Sequence, residues 1–228
     1  MTTKKDDAIN SIMQDFEEFA NLVLHQLDSL EKIISGGEIK ITEEVSKEML
    51  SNEKKIDKLD VKISDKIVNT IALYQPVASD IRKIFACYRI VNSLERIGDM
   101  AIIILNYVQN IKTLKLYTEL NDVITNMLIN SSNMVNKAVI SFTTDDREYA
   151  IWTIKNDTVV EEINKKMLKK AIKKSSDNND GNKQLLMSFI SMNGIVTNIE
   201  RIAAHATNIA EAAIYSIEGK EIRHKQLE

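Results

Sequence analysis

The apolar residues at the start of this chain recur with the spacing of one helix face, and this spacing constrains the fold more than any other feature. The intervals alternate between four and three residues over about four heptads, as in helices that pack against one another. The 228-residue chain contains one proline and six glycines, so few positions interrupt long helices. The residues of this first seam are Ile9, Met13, Phe16, Ala20, Val23, Leu27, Leu30 and Ile34.

Five further segments have the helical spacing, and none has the two-residue alternation of a β-strand. Pro76 ends the second helix, because the residue before a proline resists helical geometry. Thr143-Thr144-Asp145 offers side-chain oxygens to cap the fifth helix, and Gly219 ends the sixth. The five predicted helices are residues 38–74, 77–110, 118–142, 145–174 and 183–218.

One motif occurs twice. Glu95 begins the string ERIGD, and Glu200 begins ERIAA 105 residues later, which is nearly half of the chain. A repeat of this length predicts internal duplication and divides the six helices into two sets of three. We therefore predict an all-α fold of two tandem antiparallel three-helix bundles, residues 1–114 and residues 115–228.

The composition excludes several classes of protein. The net charge of −3 gives no basic excess for nucleic-acid binding. Cys87 is the only cysteine, which is typical of a reducing compartment. The longest apolar run, residues 100–105, is far shorter than the roughly 20 residues that span a bilayer, and the N-terminal segment lacks the apolar core of a signal peptide. We expect a cytoplasmic protein.

Four carboxylates are predicted to meet in the first repeat. Asp99 lies about 40° from Glu95 around its helix, so the two side chains share one face. Residues equally distant from the turn of an antiparallel hairpin lie opposite each other. Glu53 and Asp99 are each 23 residues from Pro76. Asp57 and Glu95 are each 19 residues from it.

The second repeat has a similar but incomplete acidic arrangement. The midpoint between Glu161 and Glu200 falls between Asp180 and Gly181, inside the predicted loop at residues 175–182. Asp157 then faces Ala204, where the first repeat has an acid. The other polar residues on this face of the sixth helix are Asn208 and Glu211.

Clustered carboxylates repel one another unless a positive charge lies among them. One candidate is a cation held by oxygen ligands, such as Mg²⁺, Mn²⁺, Fe or Zn²⁺. The other is Arg96, with Arg201 in the second repeat, forming ion pairs without a metal. Both alternatives are open for the first repeat. For the second we favour no metal, or weaker binding, because Ala204 removes a ligand.

The histidines do not predict an oxidative metal enzyme. A ferritin-type di-iron site needs Glu-x-x-His on two helices, and only Glu221 with His224 has this spacing, beyond Gly219. No Ser/His/Asp or Cys/His arrangement and no glycine-rich phosphate loop stands out. We expect no enzyme activity.

Several strings resemble the PhoU family over nearly the whole chain. They are QPVASDIRKIF and NSLERIGDMA within residues 75–101, ERIAAHATNIAEAAIYSIEGKEIRH at residues 200–224, and the paired acids. Several PhoU proteins carry metal ions or clusters on such acids. The resemblance implies one candidate metal site at Glu53, Asp57, Glu95 and Asp99, and a second at Asp157, Glu161 and Glu200.

The resemblance implies a regulator and not a catalyst. PhoU proteins act as negative regulators of phosphate uptake and of the phosphate-starvation response. They are thought to link the ATPase of the phosphate ABC transporter to a sensor histidine kinase, and they often form homodimers. Two alternatives stay open: a metal-binding helical bundle for storage or redox chemistry, and a PhoU-like helper of another transporter.

The family motif E-R-I-G-D-H-A-x-N-I-A-E is divided between the two copies. The first copy keeps Gly98-Asp99 but lacks the later His, Asn and Glu. The second copy has Ala203-Ala204 in place of Gly-Asp. We therefore expect two unequal acidic sites, with any bound metal depending on Asp99. The family residues that the second copy keeps are His205, Asn208 and Glu211.

Overall fold

The computed structural model describes residues 4–37, 39–157 and 183–222, and these residues form helices and turns without a strand. Six helices are present among them, as the apolar spacing predicts. The later part of the predicted fifth helix and the predicted loop at residues 175–182 lie outside the described residues. The helices are α1 (Lys4–Ser35), α2 (Glu43–Tyr74), α3 (Ser79–Gln109), α4 (Leu114–Thr144), α5 (residues 147–157) and α6 (Lys183–Glu218).

Two helices begin at positions that differ from the prediction. The side chain of Thr42 accepts a hydrogen bond from the Val45 amide, so α2 begins later than the apolar pattern. The Ser188 hydroxyl of α6 accepts hydrogen bonds of 2.9 Å from the amides of Lys112 and Thr113. This tertiary contact satisfies backbone donors just before α4, which begins at Leu114.

The predicted cap of the fifth helix is wrong. Thr143 and Thr144 belong to α4, and their hydroxyls donate to the Ile140 carbonyl one turn earlier. Asp145 ends α4 in the left-handed conformation, with φ 55°. Asp146 caps α5 instead, because its Oδ1 accepts a hydrogen bond of 2.9 Å from the Glu148 amide.

The two repeats share one continuous apolar core. The first seam is buried from Phe16 onwards, and it packs on α4 as well as on α2 and α3. Phe16 meets Phe142 of α4 edge to face, with ring centroids 5.1 Å apart. Cys87 is fully buried, and burial raises the pKa of its thiol to about 12, so the thiol stays protonated.

Helices α3 and α6 pack antiparallel along their length and join the two repeats. At one end Tyr107 lies against Gly194, where an added Cβ would be 2.5 Å from the tyrosine Cζ. At the other end Phe85 meets Tyr215 edge to face, with centroids 6.4 Å apart. A glycine at position 194 therefore permits the close approach of the two helices.

Within residues 4–37, 39–157 and 183–222, none of the helices combines the length and the apolar character needed to cross a membrane.

Replacing Gly194 tests this close packing. We expect Gly194→Ala to lower the free energy of unfolding by about 1–3 kcal/mol, because the methyl group overlaps the Tyr107 ring. In a Tyr107→Ala background the same change should be neutral, or stabilising by about 1 kcal/mol through helix propensity. Urea unfolding of the four proteins of this double-mutant cycle measures both effects. An equal effect of Gly194→Ala in both backgrounds would contradict the contact.

Candidate acidic site

Three helices of the first repeat meet around Glu53. The side-chain amide of Gln26, on α1, donates a hydrogen bond of 2.7 Å to Glu53 Oε2 on α2. The same amide nitrogen lies 3.3 Å from the Gly98 carbonyl oxygen of α3, to which it also donates. A Cβ at position 98 would lie 3.3 Å from Glu53 Oε2, so glycine leaves the space that the carboxylate occupies.

Glu53 and Asp99 form a carboxyl pair across α2 and α3. Burial raises the pKa of Glu53 to about 7, against the opposing effect of the Gln26 hydrogen bond. The charges of Asp99 and Asp57, together with a side-chain interaction with Asp99, raise this pKa further. Asp99, which is as far from Pro76 in the sequence as Glu53 is, therefore acts on the Glu53 carboxyl across the hairpin.

Glu95 belongs to the same cluster of charges. Burial, followed by the Asp99 charge, raises the pKa of the Glu95 carboxyl, and Arg96 opposes this shift. The charges of Asp60 and Asp57, on α2, contribute to raising it. Asp57 and Asp99 thus act electrostatically on both Glu53 and Glu95.

Asp60 is a fifth member that the sequence prediction missed. It is half-buried on α2, and burial together with the Asp57 charge raises its pKa. Asp60 follows Asp57 by three residues, so the two side chains lie on neighbouring turns of one helix face. That spacing is a signal in the sequence that could have identified it.

Arg96 lies beside the acids but does not reach Glu53. Its Nε is 3.4 Å from Glu95 Oε2, and its Nη1 is 3.6 Å from Asp99 Oδ2. The Arg96 side chain is 61% exposed, and exposed ion pairs of this length contribute about 0–1 kcal/mol. Arg96 therefore offsets only part of the repulsion within the cluster.

The oxygen donors of this cluster suit a hard cation. Glu53 Oε1 is buried and accepts no hydrogen bond, which leaves a carboxylate oxygen available as a ligand. In the described part of the chain, however, no three His, Cys, Asp or Glu side chains are arranged to hold a metal ion. Burial and the neighbouring charges favour the protonated form of Glu53, and the predicted ligands of a cation here are Glu53, Asp57, Glu95 and Asp99.

The second repeat is described only in part. Glu161 lies outside the described residues, so its predicted contact with Glu200 is not seen. Asp157 is the last described residue before the gap. Glu200 is half-buried on α6 and Ala204 is exposed. The remaining predicted residues are the exposed Arg201 and the half-buried Asn208 and Glu211, all on α6.

The two copies of the motif influence each other across the α3–α6 interface. His205 of the second repeat is half-buried, and its Nδ1 is buried without a hydrogen-bond partner. Burial lowers the pKa of His205, and the charges of Arg201 and Arg96 lower it further. Arg96 comes from the first repeat, so the arginines of both copies lie near one histidine.

Comparison with known proteins identifies relatives of both repeats. A family model described as "PhoU domain" matches residues 16–108 and 124–213. The chain is 32% identical to a "Phosphate-specific transport system accessory protein PhoU homolog" of Aquifex aeolicus, over 92% of this chain and 91% of the relative. It is 26% identical to "PhoU homolog 1" of Thermotoga maritima, over 80% of this chain and 77% of that protein.

Solved structures share the fold. The "phosphate transport system regulatory protein PhoU" of Streptococcus pneumoniae superimposes with a TM-score of 0.82 at 20% identity, covering 96% of this chain and 99% of that structure. PhoU of Pseudomonas aeruginosa superimposes with a TM-score of 0.77 at 19% identity, covering 94% of this chain and 99% of that structure.

The carboxyl pair predicts a pH-dependent stability. Because the pKa of Glu53 rises from 4.5 to about 7 on folding, the folded protein binds this proton more tightly than the unfolded chain. Its contribution is therefore fully present below about pH 4.5 and is lost as the pH rises towards 7. Glu53→Gln has no carboxyl to ionise at this position, so its stability should not fall as the pH rises. At about pH 8 its free energy of unfolding should exceed that of the wild type by roughly 1–2 kcal/mol, after allowing for the partial exposure of Glu53.

Urea unfolding in a metal chelator, at about pH 5 and about pH 8, measures this difference without a cation. Glu17→Gln, at an exposed position of α1, is the matched control. A pH dependence that is the same in Glu53→Gln as in the wild type would contradict the carboxyl pair.

Proposed function

This chain belongs to the PhoU family, and on that premise we propose that it is a regulatory accessory protein of a phosphate transport system. The observation that carries the proposal is the match of the PhoU family model to both repeats. The names of curated relatives, "Phosphate-specific transport system accessory protein PhoU homolog", support the phosphate pathway. In this proposal the protein is not an enzyme and acts through contact with other proteins.

The proposed partners are the ATPase of a phosphate ABC transporter and a sensor histidine kinase, and the proposed effect is negative regulation in the cytoplasm. Two related helical repeats in one chain suit a protein that contacts two partners.

We also propose a homodimer, supported by exposed apolar side chains beside the α2–α3 turn: Leu73 is 73% exposed and Val77 is 71% exposed. Sedimentation of the purified protein tests the dimer.

We further propose that the first repeat binds a divalent or iron-type cation. The support is the buried Glu53 Oε1 that accepts no hydrogen bond, among carboxylates whose pKa values are raised first by burial and then by neighbouring negative charges. A cation there would neutralise these charges and link α2 to α3. The same cluster favours the second candidate function, a metal-binding bundle for storage or redox chemistry, in which partner binding is incidental.

Affinity capture tests the regulatory proposal. The tagged protein is recovered from its own cells, grown in high and in low phosphate, and bound proteins are identified by mass spectrometry. We expect a phosphate-transporter ATPase or a sensor kinase, with stronger recovery in high phosphate, where repression of uptake is required. The tag alone is the control. Recovery of neither protein in either medium would contradict the proposed partners.

Elemental analysis tests the cation proposal. We expect Asp99→Ala to lose the metal that co-purifies with the wild type, because Asp99 lies against Glu53 at the centre of the cluster. Asp28→Ala, at an exposed position of α1, is the matched control and should keep the metal. An unchanged metal content in Asp99→Ala would show that any bound ion lies elsewhere.

A further inference from the structure

Arginines recur every seven residues along α3, at positions 82, 89 and 96. Arg96 lies near the acidic cluster, whereas the other two lie near the C-terminal end of α6. Arg82 contacts Gly219, and Arg89 contacts Tyr215 and Glu221. Two guanidinium groups of α3 therefore border one short segment, residues 215–221.

Arg89 is partly buried, and only one of its guanidinium nitrogens has a hydrogen-bond partner. Its side chain is 13% exposed, and its Nη1 donates a hydrogen bond of 2.9 Å to Glu221. Its Nε and Nη2 are buried without a partner. Those two nitrogens form one edge of the guanidinium and present parallel N–H groups, the arrangement that binds two oxygens of a carboxylate or phosphate.

Arg82 adds a third unpartnered donor. Its Nε is buried and donates no hydrogen bond, and among the described residues Arg82 pairs with no carboxylate. Gly219, with φ 70°, lies so close that an added Cβ would be 3.2 Å from this Nε. A buried donor without an acceptor destabilises the fold, so three together point to an acceptor that completes the site.

We propose that Arg82 and Arg89 bind a small tetrahedral oxyanion, inorganic phosphate, between α3 and the C-terminal end of α6. Guanidinium groups only donate hydrogen bonds, so the ligand must supply several acceptor oxygens and negative charge. Glu221 engages one nitrogen of Arg89 and leaves the opposite edge to the anion. The Tyr215 ring, 5.8 Å from Arg89 Cζ, helps hold the guanidinium in place.

This inference goes beyond the proposed function and stands on the guanidinium geometry. Its site is separate from the acidic cluster, which lies on α2 and the middle of α3. A cation in that cluster could itself attract phosphate, so the test requires metal-free protein. A failure to bind phosphate would not contradict the proposed accessory role, because that role is tested separately by affinity capture of partner proteins.

Equilibrium dialysis of the full-length, chelator-treated protein against radiolabelled inorganic phosphate is the experiment. We expect saturable binding of one phosphate per chain. Arg82→Lys and Arg89→Lys each keep the charge but lose the paired N–H edge, and each should weaken binding about tenfold or more. Arg147→Lys is the matched control, because the Arg147 side chain pairs with Glu218 at the same end of α6 yet is 46% exposed. It should bind phosphate like the wild type.

Competition by sulfate gives a second readout on the wild type, which does not depend on the folding of any variant. A site made of arginine donors does not distinguish the two tetrahedral anions strongly, so sulfate should displace the labelled phosphate. Three results would each overturn the proposal: no saturable binding up to about 10 mM phosphate, unchanged affinity in folded Arg82→Lys and Arg89→Lys, or no displacement by sulfate.

Discussion

The packing of α3 on α6 is the interaction on which the rest of this structure depends. It joins a helix of the first repeat to the equivalent helix of the second and merges two potential cores into one. The approach is close where Gly194 meets Tyr107. The same packing brings the two copies of the ERI motif together, so that Arg96 of one copy acts on His205 of the other.

In the acidic site, neighbouring residues position the Glu53 side chain, but nearby negative charges oppose its ionisation. The Gln26 side chain donates a hydrogen bond to Glu53, and Gly98, which has no Cβ, leaves room for the Glu53 carboxylate. The charges of Asp57 and Asp99 repel the ionised form of Glu53. A structure gains nothing in stability from carboxylates that repel one another, so such a cluster is typical of a site that receives a proton or a cation. The second copy lacks the aspartate at Ala204, and its face is correspondingly less acidic.

Much of the fold followed from local patterns in the sequence. Helical apolar spacing predicted six helices, and the symmetry of a hairpin about Pro76 predicted that Glu53 and Asp99 lie opposite each other, which agrees with the effect of Asp99 on the pKa of Glu53. Features set by distant segments were not predictable in this way. Gln26 reaches the site from α1, and Ser188 satisfies the amides before α4 from the opposite end of the chain. The unpartnered edge of Arg89 becomes visible only when α6 covers it, although the seven-residue spacing of the arginines is present in the sequence.

The acidic cluster and the proposed anion site of Arg82 and Arg89 both use α3, which packs on α6, so the two repeats should behave as one body. Scanning calorimetry of the metal-free protein tests this requirement most directly. A single heat-absorption peak, with a ratio of calorimetric to van't Hoff enthalpy of about one, is the predicted result. Two separate transitions, one for each repeat, would contradict a fold in which α3 and α6 make the repeats cooperative.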